Sequence, residues 1–193
     1  SDYFDIYLMD ALEGKVTRRL VRGQRTGQFE ELHWLRPGIT WSPDGNSIAF
    51  CAKAGKYDAL YVVDVESGSI QDQYKISSDG LFSPSWNPNG ESIALIKVHN
   101  GQSDIVVLDL SNGKFNNVTD DIYDEADPAW SPLGDKLLFT SNRNFDGTND
   151  PREPSETLYT HNYNHSDIYS IDLTDSKILR ITDDPISERT PIW

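Results

Sequence analysis

Side chains that could hold a cation or move a proton occur in a few short runs. Asn142, Asn144, Asp146, Gly147 and Glu153 follow the spacing of a twelve-residue calcium loop, D-x-[DN]-x-[DN]-G-x5-E, with Asn in place of the first Asp. Losing that carboxylate weakens such a site, and Pro151 and Pro154 break its second half. The run therefore reads as a polar loop, with weak calcium binding through Asn142, Asn144, Asp146 and Glu153 as the alternative; no other cofactor is expected. His161 and His165 lie four apart, but no Glu follows His161 as H-E-x-x-H requires. There is no G-x-S-x-G elbow for a nucleophilic serine. Cys51 sits in Phe50-Cys-Ala52, a stretch of strand character, where a small buried core residue is expected. These residues point to a protein that is not itself an enzyme.

Acids form the more persistent pattern. Asp120, Asp121, Asp124, Glu125 and Asp127 precede one tryptophan, and Asp183, Asp184, Glu188 and Arg189 precede another; the two stretches align without a gap, Thr119 on Thr182 and Glu125 on Glu188. The chain has 17 Lys and Arg against 31 Asp and Glu, a formal charge of −14. That balance repels nucleic acid and anionic membrane surfaces, whose binding depends on basic side chains. Apolar runs such as Ile105-Val-Val-Leu108 are far shorter than the ~18 residues a membrane span needs, so no membrane insertion is expected. The acidic opening Ser1-Asp2-Tyr3-Phe4-Asp5 does not read as a leader segment.

What must position these residues is a repeat. Trp41-Ser-Pro-Asp-Gly45, Trp86-Asn-Pro-Asn-Gly90 and Trp130-Ser-Pro-Leu-Gly134 recur at spacings of 45 and 44 residues, and Trp193 opens a further copy. Each motif places Pro and Gly as a type I turn prefers them, and a short apolar stretch too brief for a helix follows. A second landmark comes after it: Asp58-Ala-Leu-Tyr-Val-Val-Asp64, Asp104-Ile-Val-Val-Leu-Asp109 and Asp167-Ile-Tyr-Ser-Ile-Asp172, with Asp5-Ile-Tyr-Leu-Met-Asp10 ahead of the first. The count gives four antiparallel strands per unit: A ending at Trp, B after the turn, C closing at Asp, and D after the next Gly. Such a sheet cannot bury both faces alone, so the units stack as blades of an all-β propeller, with the Trp packed between them.

Pro84-Ser-Trp86, Pro128-Ala-Trp130 and Pro191-Ile-Trp193, with the D-I-Y-x-x-D landmark and a closing L-T or I-T, resemble the WD40-like PD40 repeats of TolB-type β-propellers. Thr40-Trp41 lacks the Pro two residues before Trp, and Leu133 replaces the usual acid or amide of the turn. The resemblance runs over residues 1–193 as one propeller segment. Residues 1–23 are strands C and D of a partial blade; 38–77, 83–119 and 127–183 are blades, the last with an insertion at 144–165; and 190–193 begin the next. Because TolB-like propellers commonly have six blades, these four blades' worth are expected to be part of a larger ring whose remaining blades lie outside this chain. The resemblance also implies a periplasmic or otherwise exported setting and a non-catalytic scaffold that binds a protein or peptide, as TolB does in the Tol–Pal envelope system. The alternative is the propeller of a peptidase-like multidomain protein, gating or docking substrate.

Loop lengths say where binding belongs. Trp130 is 37 residues from the Asp of the next strand C, against 17 and 18 in the other blades, and Asp10 is 31 from Trp41, against 21 or 22 elsewhere. Both insertions, 144–165 and about 24–37, fall in B–C or D–A connections, which share one face of the disc. That face is the candidate partner surface: Asp124, Glu125, Asp127, Glu188 and Arg189 at its mouth, with Trp34, Tyr159 and Tyr163 as aromatic anchors.

Overall fold

A computed structural model describes residues 5–23, 31–32, 38–143, 165–183 and 186–193. The described residues form fifteen strands and no helix. β1 (Ile6–Met9) and β2 (Val16–Val21) make a two-stranded sheet. The next sheet contains β3 (Glu31–Leu32), β4 (Ile39–Trp41), β5 (Ser47–Ala54), β6 (Tyr57–Asp64) and β7 (Ile70–Lys75), and both β3 and β4 pair with β5. Two four-stranded sheets follow: β8 (Gly80–Trp86), β9 (Ser92–His99), β10 (Gln102–Asp109) and β11 (Lys114–Asn117), then β12 (Glu125–Trp130), β13 (Lys136–Ser141), β14 (Asp167–Asp172) and β15 (Ile178–Arg180). Every pairing is antiparallel. β3 lies within the connection that the sequence leaves as a loop, and it extends the inner edge of its sheet.

The apolar runs of strands B and C follow from burial on both sides. Ile48, Phe50 and Ala52 pack with Tyr61 and Val63 against Ile6, Leu20 and Val21. The alternate residues Ala49, Cys51, Leu60 and Val62 pack the other way, onto Leu81, Ile93, Leu95, Val106 and Leu108. Ala94, Ile96 and Ile105 then meet Trp130, Leu137, Phe139, Tyr169, Ile171 and Ile178. A sheet with a core on each face needs apolar side chains at odd and even positions alike. Cys51 is one of these packing residues, and burial pushes its thiol up.

Strand A is short and bent. Its pairing with strand B shifts register between Phe82 and Ser85 and between Ala126 and Ala129. Ser83 and Asp127, three residues before their tryptophans, adopt left-handed φ values of 47° and 52°, and Thr190 does the same at 54° before Trp193. The tryptophans are not equivalent. Trp130 is buried and its indole N–H donates to Ser85 O at 2.9 Å; Trp193 repeats the link to Ala129 O at 3.0 Å while half exposed. Trp86 instead donates to Gly90 O of its own turn at 3.2 Å, and Trp41 is 52% exposed.

Candidate functional site

Hydrogen bonds between loops assign the two faces of the disc. On one, strand-C closings meet A–B turns: Val65 N–H donates to Asn46 O, Leu110 N–H to Glu91 O and Leu173 N–H to Asp135 O, at 2.9–3.0 Å. On the other, D–A connections hold B–C hairpins. Asp79 Oδ2 accepts from Asn100 N–H at 2.6 Å, and Asp124 Oδ1 accepts from Ser103 N–H at 3.0 Å and from its hydroxyl at 2.9 Å. In the last blade Ser187 Oγ takes the place of Asp124 and accepts from Ser166 N–H at 3.3 Å.

The D–A loops are braced from beneath by a repeated pair. Thr119 Oγ1 accepts from Ile105 N–H at 2.8 Å and donates to Glu125 Oε2 at 2.7 Å. Thr182 accepts from Ile168 N–H at 2.9 Å and donates to Glu188. The threonine thereby ends the D–C pairing while the glutamate fixes where strand A begins. With their bases fixed, the loops turn other side chains outward: Asp120, Ile122 and Asp124 in one, Asp183 and Ile186 in the other, with Ile122 42% and Ile186 70% exposed.

Below the first loop lies a buried ionic cluster. The Arg143 guanidinium, 2% exposed, contacts Glu125 Oε1 at 2.5 Å and Asp121 Oδ2 at 3.1 Å, and its Nε donates to Ser141 Oγ at 3.0 Å. It lies over the rings of Tyr123, Phe139 and Tyr169, 5.3–5.7 Å from their centroids. Tyr169 OH donates to Arg143 O at 2.5 Å. Burial pushes the Glu125 carboxyl up to about 7, against the pull of the Arg143 charge. Asp104, the opening residue of its strand-C landmark, is also buried; desolvation, with Asp120 next, pushes its carboxyl up to about 6. Its counterparts Asp58 and Asp167 are buried too, Asp58 accepting from Leu81 N–H at 3.0 Å and Asp167 pairing with Arg180 at 2.6 Å.

The family model described as the TolB beta propeller domain, PD40, matches residues 28–149. The chain belongs to this family. It is 29% identical over 101 residues to an uncharacterized protein of Agrobacterium fabrum, covering 52% of this chain and 34% of that one. It is 26% identical over 140 residues to an uncharacterized peptidase, YuxL, of Bacillus subtilis, covering 53% of this chain and 21% of the peptidase. The Tol-Pal system protein TolB of Ruthia magnifica matches at 34% over 82 residues, 42% of this chain and 19% of TolB. The chain thus spans about a third or less of these relatives. Among solved structures, TolB from Acinetobacter baumannii superposes with a TM-score of 0.68 at 21% identity, over 97% of this chain and 40% of TolB. A structure reported in a study of two prolyl endopeptidases superposes at 0.57 and 16% identity, over 92% of this chain and 26% of the endopeptidase. These structural likenesses establish the propeller fold.

Within this TolB-type propeller the sequence-selected residues separate by role. Asp124 is exposed, but its backbone and both carboxylate oxygens are engaged: its N–H donates to Asn142 Oδ1 at 2.8 Å, Ser103 donates to its Oδ1, and Asn142 Nδ2 donates to its Oδ2 at 3.4 Å. Glu125 is 1% exposed and lies beneath the D–A loop, against Thr119. Asp127 is half-buried and accepts from Ser83 Oγ at 3.3 Å, linking adjacent A strands. Glu188 is half-buried against Thr182, and Arg189 is exposed. Of the calcium pattern, Asn142 is buried with its carbonyl oxygen bonded to Asp124 N–H. Asn144, Asp146, Glu153, Trp34, Tyr159 and Tyr163, like His161, lie outside the described residues. Arg143 escapes the sequence pattern because no other blade repeats it; its one signal is a cation placed where strand B ends, in the blade whose preceding connection carries Asp121 and Glu125.

Proposed function

We propose that this propeller is a non-catalytic scaffold that recognises a protein or peptide through its B–C/D–A face, in an exported or periplasmic setting. The observation that carries the reading is the paired D–A loops: each is fixed from beneath by a Thr–Glu hydrogen bond and turns acids beside an isoleucine to solvent. A rigid base lowers the ordering cost of binding, and carboxylates flanking exposed apolar groups suit a partner that alternates basic and apolar side chains. The match to the Bacillus peptidase favours a second reading, in which the same face docks or gates substrate for a peptidase.

Selection of random peptides against the immobilised protein tests the first reading. Enriched sequences should combine Lys or Arg with apolar residues, and they should be recovered intact by mass spectrometry. Binding should fall about tenfold when Ile122→Ser and Ile186→Ser are combined, the scale of losing two partly buried anchors. Enriched peptides that bind this variant as well as the parent would defeat the reading. Peptides that this chain binds intact and that the full-length protein cleaves would replace it with the second.

A further inference from the structure

The blades repeat, but the contacts between them do not, and the difference opens a groove on the face away from the mouth. Between the second and third full sheets, Asn87 Nδ2 donates to Gly134 O at 3.2 Å, and a Cβ on Gly134 would lie 2.3 Å from Asn87 Oδ1. That junction is closed. One junction earlier the residue after Trp41 is Ser42, whose side chain is too short to make this link, and a Cβ on Gly90 would meet only Pro43 Cγ at 3.9 Å. The result is a cavity of about 430 Å³. Trp86, Tyr74, Val62 and Leu110 give it apolar walls; Asp44 and Asp72 are among its polar residues, and no Lys, Arg or His lines it.

The protein shows at the preceding junction what such a groove accepts. Arg18 and Asp72 hold the same register position on their outer strands: Arg18 pairs with Leu8 and Asp72 with Val62, each partner two residues before the aspartate that closes strand C. At the first junction the Arg18 guanidinium reaches across to the next sheet and donates to Val65 O and Glu66 O. At the second, Leu110 and Ser111 stand where Val65 and Glu66 stand, but the outer strand supplies Asp72, a carboxylate, in place of the cation.

We propose that this groove is a binding site for an arginine side chain of a partner polypeptide. The guanidinium would lie against Trp86, face the charges of Asp72 and Asp44, and donate to the turn carbonyls of Leu110 and Ser111, as Arg18 does internally. A planar cation with five N–H donors satisfies an aromatic face, carboxylates and carbonyls together, which lysine does not. The site is on the A–B/C–D face and stands independently of the mouth.

The test is a titration of the 15N-labelled chain with N-acetyl-Gly-Arg-Gly-amide and with its citrulline counterpart, which keeps shape and loses charge. The arginine peptide should shift the Trp86 indole N–H and the amides of Asp72, Leu110 and Ser111, and citrulline should not. Asp72→Asn should weaken binding roughly threefold to tenfold, the scale of one exposed ionic contact. Two folded variants, checked by circular dichroism, should abolish it: Asp72→Arg fills the groove with an internal arginine, and Ser42→Asn rebuilds the Asn87-type closure. Equal shifts from the citrulline peptide, undiminished binding by Asp72→Arg and Ser42→Asn, or no shift at the groove would overturn the proposal. Shifts confined to Ile122 and Ile186 would also overturn it while leaving the mouth reading intact.

Discussion

At the scale of single residues, the acids divide into those that hold the loops and those that face water, and titration separates them. Asp104 is buried with one carboxylate oxygen lacking a hydrogen-bond partner, near Asp120 and Asp121. Its folded carboxyl titrates at about 6, against 3.8 in a free side chain. Between those values the folded state holds a proton that the unfolded state has released, so this group's contribution to stability is full below pH ~4 and is lost as pH rises through 6. Asp104→Asn stays neutral throughout. Urea unfolding of both proteins should therefore give similar stabilities near pH 4 and a variant more stable by about 1–2 kcal/mol above pH 7. A difference independent of pH would mean that Asp104 is not desolvated as the structure has it. Glu125, also raised, acts in the same direction within the parent protein and cancels from the difference.

At the scale of elements, the bend in strand A sets its register against strand B. Asp127 at φ 52° puts the register shift between Ala126 and Ala129, and Ser83 does the same one blade earlier. Aspartate tolerates the left-handed region through its short polar side chain; a β-branched residue does not. Asp127→Val should cost about 1–2 kcal/mol more than Asp127→Gly, read from their urea midpoints, although valine is the better strand former. Equal midpoints would remove the argument from strain. This element also shows what the sequence discloses and what it hides. Strands B and C, both turns and the four-strand unit were legible because the W-[SN]-P-x-G motif and the aspartates that open and close strand C recur and their apolar runs have one solution, a sheet buried on both faces. β3 was not, since Glu31-Leu32 has neither period nor landmark and becomes a strand only by pairing with Lys53 and Ala52. Glu125 and Glu188 were legible as a repeated pair, yet not as inward-facing braces, because sequence aligns positions without giving their depth. The groove was legible only as Ser42 standing where Asn87 stands, a difference that acquires meaning once the carbonyl of the next blade's glycine is in view.

At the scale of the whole molecule, the net charge of −14 should act on folding and on the proposed binding in opposite directions. Like charges crowded onto stacked sheets repel one another more in the compact state than in the unfolded chain, and salt screens that repulsion. The same salt should weaken the proposed attraction between the acidic D–A loops and a basic peptide, since the Debye length falls from about 14 Å at 50 mM to about 4–5 Å at 500 mM. Raising sodium chloride over this range should increase the melting temperature of the free protein by a few degrees while lowering its affinity for the selected peptides by tenfold or more. Measured side by side, the two slopes separate causes that either alone would confuse. If affinity fell because salt disturbed the fold, stability would fall with it. If the peptides were held by Ile122 and Ile186 alone, affinity would hold steady or rise as salt strengthens apolar association. Opposite slopes are the signature of an intact propeller whose surface charge, costly to its own folding, is used for recognition.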